Sequence, residues 1–291
     1  MEERFFQLLF TGLIIGSIYS LIAVGLNLIY GTMRLLNIAH GEIIMVGAYT
    51  TFWLFTLMGI SPLYSLFFSG LITAILGILI GQFIFLPIIK KTKSLSALES
   101  NSLLIFFALS IIFQNIASLL WSADIRGYSY FTQVIKILNV PLMLNRFIAF
   151  IIALLISMGC FIFLQKTMLG KAIRALIQDR VVSQLVGINT KRIYLFSFII
   201  SFAMAGFAGC LISMFYEINP FMGLPYTITA FIVIVLGGLG NIVGSLLGGV
   251  LLGIVETVGT SFTSPGFRSI ISYGLFIAVI LLRPKGIFGR G

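Results

Sequence analysis

The chain of 291 residues is 59% hydrophobic and only 9% charged, with a mean hydropathy of +1.15, whereas soluble domains carry about 25% charged residues. That excludes a soluble domain hidden anywhere in it and makes it an integral membrane protein. A formal net charge of +10 would suggest nucleic acid in a soluble protein, but here it reports which side of the bilayer each loop occupies, so no nucleic-acid partner is expected.

About 20 apolar residues carry a helix across the hydrocarbon core. In chain order the stretches that meet this are Phe5–Ile29, Ile38–Leu57, Leu63–Leu86, Ser102–Trp121, Phe147–Gln165, Ile193–Phe215 and a short Phe267–Leu282. The first is too long for a cleavable signal core and lacks a basic leader, so it is read as a span. Segments alternating apolar and polar over about ten residues are absent, which makes the spans helices rather than barrel strands. Between Tyr226 and Val258 the apolar sequence is interrupted by Gly237-Gly238-Leu239-Gly240-Asn241. This region is either two short spans meeting at a cytoplasmic turn or a re-entrant pair that never fully crosses. The expectation is an all-α polytopic helical bundle of about seven to nine spans, forming one transmembrane domain over residues 1–291. Cys160 and Cys210 fall inside apolar spans and are read as small packing residues.

Lys and Arg orient the chain. Arg34, the Lys90–Lys93 cluster, the Lys166–Arg192 connector and the tail from Arg283 hold thirteen basic residues. The opposite side holds five: Arg4, Arg126, Lys136, Arg146 and Arg268. This bias places the first group in the cytoplasm, with the N-terminus outside and the C-terminus inside.

Small residues at four-residue spacing let helix backbones approach closely in lipid. Gly12, Gly16 and Ser20 form one such stripe, Ser201, Ala205, Gly209 and Ser213 a second, and Gly240, Gly244 and Gly248 a third. They predict a compact bundle without naming a solute. Asn37-Ile38-Ala39-His40-Gly41 and Asn241-Ile242-Val243-Gly244 also echo one another, as an internal repeat with discontinuous helices would.

Ionisable groups within a span cost roughly 2.5–3.5 kcal/mol at mid-depth and therefore face the bundle interior or a wet cavity. The ionisable candidates are His40, Glu42 and Glu256, with Asn27, Asn37, Gln82, Gln114, Asn115 and Asn241 as uncharged polar company. They either line the route of a solute or lock backbone turns by hydrogen bonding. His40 is the only histidine, and it lies about 200° around a helix from Glu42. No multi-histidine metal site is therefore possible, and no cofactor is expected. The P-loop pattern is missing as well: the only Gly-Lys pair, Gly170-Lys171, is followed by Ala172. Any ATP that drives this chain is bound by another protein. One histidine and no mid-span Asp leave too little chemistry for an intramembrane enzyme.

One stretch differs from all the others. Gly170–Asn189, GKAIRALIQDRVVSQLVGIN, is charged and amphipathic, with Ile173, Leu176, Val182, Leu185 and Val186 three or four apart. The spacing predicts one helix bracketed by Gly170 and Gly187 within the 166–192 loop. Such a helix either lies on lipid headgroups or offers a rigid surface to a separate motor protein.

Four segments in order carry a resemblance. GLNLIYGTMRLLNIAHGEIIMVGAY (Gly25–Tyr49) contains Tyr30-Gly31, then Asn37 with Ala39-His40-Gly41-Glu42, then Gly47-Ala48-Tyr49. It is followed by Gly170–Asn189, by VLGGLGNIVGSLLGGVLLGIVE (Val235–Glu256) and by LLRPKGIFG (Leu281–Gly289). Together they resemble the LivH-type permease subunit of bacterial ABC importers for branched-chain amino acids.

The resemblance implies a multi-pass permease of the bacterial plasma (inner) membrane, itself not an enzyme. ATP-binding cassette ATPase subunits would drive it by alternating access. An extracytoplasmic solute-binding protein would deliver the solute, and a second, LivM-like permease would complete a heterodimer. It also implies that Gly170, Arg174, Asp179 and Gly187 belong to a cytoplasmic coupling helix seated on an ATPase. Relatives that carry urea or short amides share similar segments, so the solute stays open between them. A stand-alone proton-coupled carrier using Glu42, His40 and Glu256 is the alternative from another class.

Overall fold

The fold is that of a computed structural model describing residues 2–92, 94–137 and 140–289. Two basic residues used to orient the chain, Lys93 and Arg290, lie outside the described residues, as do the side chains of Arg4 and Lys90. Among the described residues the first half runs α1 (Glu2–Met33), α2 (His40–Met58), α3 (Pro62–Ile80), a π-helical turn (Gly81–Phe85), α4 (Leu86–Lys91) and α5 (Leu95–Trp121). A hairpin, β1 (Val134–Ile137) with β2 (Val140–Met143), follows. The second half runs α6 (Leu144–Lys166), α7 (Met168–Gln178), α8 (Arg180–Leu185), α9 (Thr190–Ser213), α10 (Gly223–Gly237), α11 (Ile242–Phe262) and α12 (Arg268–Leu282). Eight stretches among the described residues are long and apolar enough to cross a membrane. The all-α polytopic bundle expected from composition is therefore what forms.

The glycine-interrupted region resolves unequally. α11 has 21 residues, enough to cross, whereas α10 has 15 and at about 22 Å falls short of a hydrocarbon core about 30 Å thick. The antiparallel hairpin is a departure from a purely helical reading. Val140 and Leu142 of β2 alternate inward and bury against Ile14 of α1, so the Ser122–Arg146 connector is packed down on the bundle. Tyr128 in the same connector bonds Ser213 at 2.9 Å. Burial raises its phenol above the ordinary value, so this contact stays neutral.

The centre is built on the small-residue stripes. A Cβ placed on Gly16 would stand 2.7 Å from Val250 Cα, and one on Gly12 2.8 Å from Ile254 Cα, so α1 and α11 touch backbone to backbone. Ser20 seals the same seam by donating to the Leu246 carbonyl at 2.6 Å. On the far side of the core, Gly209 of α9 packs against the Ile44 carbonyl of α2, and Gly206 against Ser69 and Thr73 of α3. The π turn has an identifiable product: Phe85 points into the core, stacked on Phe106 of α5 at 4.1 Å and near Phe198 of α9 at 5.5 Å. Outside this core α5, α6 and α12 turn large apolar side chains outward, such as Leu119, Leu155 and Leu281, as lipid-facing helices do.

Two helices do not begin at an end of the bundle. After α1 the chain reverses at Arg34, whose φ of 59° lies in the left-handed region. Residues 34–39 then run back along α1, so that His40, the first residue of α2, reaches the carbonyl of Ile22. Ile22 lies eleven residues, about 16 Å, inside the end of α1. After α9 the chain folds back in the same way. Ile218 pairs with Arg126 in the connector, and α10 then starts at Gly223, against Gly41 of α2. α2 heads toward the hairpin end of the bundle and α10 toward the α7 end. Their N-termini abut part-way through.

Candidate functional site

The abutting ends make a polar junction inside an apolar bundle. Glycine is required at Gly41, because any Cβ there would overlap the Gly223 carbonyl. Thr227 of α10 latches the two helix starts: its hydroxyl accepts from the Gly41 N–H at 2.8 Å and donates to the Ile38 carbonyl at 3.0 Å. Two helix N-termini facing one point concentrate partial positive charge there, and the acid Glu42 sits at that point. Its carboxylate carbon would lie 2.6 Å from a Cβ on Gly223. Glu42 Oε1 accepts from Ser110 at 3.0 Å and from Gln114 at 2.8 Å, both on α5.

His40 faces the other way. Its Nε2 is 3.2 Å from the Ile22 carbonyl, and since a carbonyl only accepts, Nε2 carries the proton. The 200° separation expected of His40 and Glu42 thus sends one to α1 and the other to α5. Asn37, His40 and Glu42 are all fully buried. Yet among the described residues both polar atoms of Asn37, His40 Nδ1 and Glu42 Oε2 have no hydrogen-bond partner. Elsewhere such atoms are scattered singly through the bundle, whereas here four cluster within six residues.

The other two intramembrane candidates are not part of this cluster. Glu256 of α11 accepts from Tyr19 of α1 at 2.8 Å and from Ser272 of α12, and pairs with Arg268 at 3.6 Å. It ties three helices together. Asn241 caps α11 through the Gly244 N–H at 3.0 Å and donates to the Phe288 carbonyl at 2.6 Å, fixing the C-terminal tail. Asn27 of α1 in turn donates to the Asn241 carbonyl at 3.0 Å. Asn37 and Asn241, which echo each other in sequence, therefore play unmatched parts: one caps a helix, the other's side chain bonds nothing. The matched features are the re-entrant starts of α2 and α10.

The segment Gly170–Asn189 is two helices, not the single one its apolar spacing predicts. The break is Asp179, in an extended conformation with φ −153° and ψ 117°. Its carboxylate accepts from the N–H groups of Val181 and Val182 at 2.8 and 3.0 Å, so it ends α7 and caps α8. A short acid that satisfies backbone donors outside a helix competes with helix continuation, and periodicity alone does not see this. The apolar residues accordingly divide. Ile173 and Leu176 of α7 are buried in the bundle, whereas Val182, Leu185 and the adjoining Val186 are exposed, Leu185 at 81%. Gly170 makes the tight α6–α7 corner, where a Cβ would meet Leu164 backbone at 2.5 Å. Arg174 braces that corner through Gln165 Oε1 at 2.9 Å, and Gly187, at φ 85°, ends α8.

Thr227, Ser110 and Gly223 are parts of the junction that sequence reading did not single out, and Gly41 entered it only as a member of the Ala39-His40-Gly41-Glu42 motif. A signal existed for α10. Pro225, in its first turn, needs no backbone partner there and marks a helix start.

Comparison with known proteins agrees with this architecture. The family model described as "Branched-chain amino acid transport system / permease component" matches residues 8–280. The chain is 34% identical to the high-affinity branched-chain amino acid transport system permease protein LivH of Salmonella typhimurium, with all of this chain and 98% of that protein aligned. It is 32% identical to BraD of Pseudomonas aeruginosa, over 99% of this chain and 96% of that protein. LivM of the same Salmonella strain is 26% identical over 93% of this chain and 67% of its own length. No solved structure matches. A bundle of apolar spans in which two helices start part-way through, matched along nearly its whole length by transport permeases, belongs to the branched-chain amino acid permease family.

Proposed function

We propose that this chain is one permease half of an ABC importer that moves branched-chain amino acids into the bacterial cytoplasm, powered by separate ATPase subunits. The observation that carries the reading is the division of labour in residues 168–186. α7 is rooted in the core by Ile173 and Leu176, while α8 presents Val181, Val182 and Leu185 to the outside, together with the adjoining Val186. An exposed apolar cluster beside basic residues is what a partner groove covers, and central apolar contacts carry most of an interface's energy. The charge bias puts this end in the cytoplasm, where ATP is, with the N-terminus outside. Asp179 and Gly187 shape α8, and Gly170 and Arg174 hold its root, so a push on α8 passes into α6 and α7. The other companions follow the family: an extracytoplasmic solute-binding protein and a second permease. LivH and LivM are both named as permeases of this transport system in one organism and both resemble this chain, which supports a heterodimer.

The polar junction is the part of the route best matched to an amino acid. Paired helix N-termini suit an α-carboxylate, as in transporters with discontinuous helices, and Glu42 suits the α-ammonium. The closed junction corresponds to the sealed stage of alternating access. Opening would part α2 from α10 and bring Asn37, His40 and Glu42 to the solute.

The test is Leu185→Asp, assayed for ATP-driven leucine uptake in proteoliposomes holding the whole assembly. Leu185 is 81% exposed, so membrane levels should be unchanged while ATPase association and uptake fall at least about ten-fold, the loss of one central apolar contact. Uptake equal to the native chain's removes the coupling assignment. Leucine uptake that collapses with the proton gradient while ATP is plentiful would instead identify a carrier.

A further inference from the structure

A cavity of about 610 Å³ opens at the α7 end, between the last turn of α6, the face of α7, the α10–α11 turn and the C-terminal tail. Among the described residues two cationic side chains line it, Arg174 and Lys285, and no acidic side chain does. Arg174 is held by neutral acceptors only, the Gln165 side chain and carbonyl, and its Nε is shut off from solvent with no partner. Lys285 is exposed at the rim, and among the described residues its ammonium has no carboxylate within ion-pair distance. The remaining walls include Phe161, Leu164, Ile177 and Val243, all apolar.

Two uncompensated cations over a half-apolar hollow of this size make a site for an anion that also carries an apolar or bulky portion. Concave sites for small molecules run to about 300–1,000 Å³. Basic pockets between helices on the side facing anionic lipid take lipid headgroups. We propose that this cavity binds a phosphate-bearing anion, presented either as a membrane lipid headgroup or as free phosphate from solution. Its occupant would bridge α7 to the tail through Arg174 and Lys285, stiffening the root of α8. A carboxylate solute bearing an ammonium is a poorer match, because no acidic side chain is there to receive the ammonium.

The experiment is native mass spectrometry of the delipidated full chain, titrated separately with phosphatidylglycerol, with phosphatidylcholine of the same acyl chains, and with inorganic phosphate. Near a membrane surface each basic contact is worth roughly a five-fold change in binding. Lys285→Gln should therefore weaken the preferred anion about five-fold, and Lys285→Gln with Arg174→Gln about thirty-fold. Lys191→Gln with Arg192→Gln, exposed residues outside the cavity, should leave it unchanged. Lys285→Gln makes the test independent of the corner that Arg174 braces. Phosphatidylglycerol preferred over phosphatidylcholine and not displaced by phosphate identifies the lipid headgroup. Phosphate binding that is lost with Lys285→Gln, without a lipid preference, identifies the free anion. Equal binding of both lipids with no phosphate bound, or equal losses in the cavity and control variants, overturns the proposal.

Discussion

At the scale of single residues, one methyl group decides whether the junction forms. Gly41 lies so close to Gly223 that a Cβ would overlap its carbonyl, and the obstacle is backbone, which cannot rotate away. Gly41→Ala should therefore drive α2 and α10 apart and destabilise the chain by about 3 kcal/mol, the upper end for overpacking. Gly159 of α6 has nothing within 4 Å of its added Cβ. Gly159→Ala should be neutral or gain up to about 1 kcal/mol from helix propensity. Thermal unfolding of the purified chain in detergent separates the two, and equal midpoints for both variants would mean that the junction is not packed this tightly. Glu256 teaches the complementary lesson. Its spacing in sequence says only that an acid lies within a span. Two hydrogen-bond donors on two other helices, 16 and 237 residues away, and an ion pair then make it a clasp. No local pattern encodes such a set.

At the scale of elements, the long spans were legible because their signal is additive. Twenty apolar residues in a row outweigh any one exception, so α1, α5, α6 and α9 lie where composition places them, although α5 begins at Leu95 rather than Ser102. What was not legible depends on single side chains acting against the average. Asp179 breaks a helix that five apolar residues predict, by capping the next one. Of the re-entrant segment 34–39, the sequence places Arg34 in a cytoplasmic loop and residues from Ile38 in the second span, and only the contact from His40 to Ile22 reveals that the segment runs backward. The candidate pair His40 and Glu42 was visible as costly polar residues in a span, but its partners Ser110, Gln114 and Thr227 become visible only through tertiary contact. Asp179 provides the sharpest test at this scale. α8 has six residues, too few to persist without a cap. Asp179→Ala should cost about 1 kcal/mol of local stability, unravel α8 and reduce ATP-driven uptake several-fold. Asp179→Ser, which keeps a capping oxygen, should retain most of it. Uptake in proteoliposomes of the two variants side by side is the measurement, and equal activity would show that the cap is dispensable.

At the scale of the whole molecule, the bundle combines a tight seam with an energetically uneasy centre. α1 and α11 meet backbone to backbone, and Glu256 and Asn241 fasten that seam toward its two ends. These contacts favour one fixed arrangement. The junction between α2 and α10 does the opposite. Four buried polar atoms of Asn37, His40 and Glu42 go without partners when it is closed, each at a cost of about 1–3 kcal/mol. An opened junction removes that cost, because water or a solute then supplies the missing bonds. The junction is thus held by packing and by the Thr227 latch against the cost of its own polar groups, and the alternating access proposed above would need such a near balance. Asn37 isolates this term, since its side chain bonds nothing in the closed form. Asn37→Leu should raise the stability of the purified chain by about 1–2 kcal/mol, as replacing an unsatisfied polar group by an apolar one of similar shape does. The same change should lower ATP-driven uptake of the whole assembly at least about ten-fold, because stability gained at a working site tends to be lost as activity. Thermal unfolding and uptake measured on one preparation give both numbers. A loss of stability on Asn37→Leu would mean that the amide has a partner in the closed bundle, and the balance argued for the junction would fail with it.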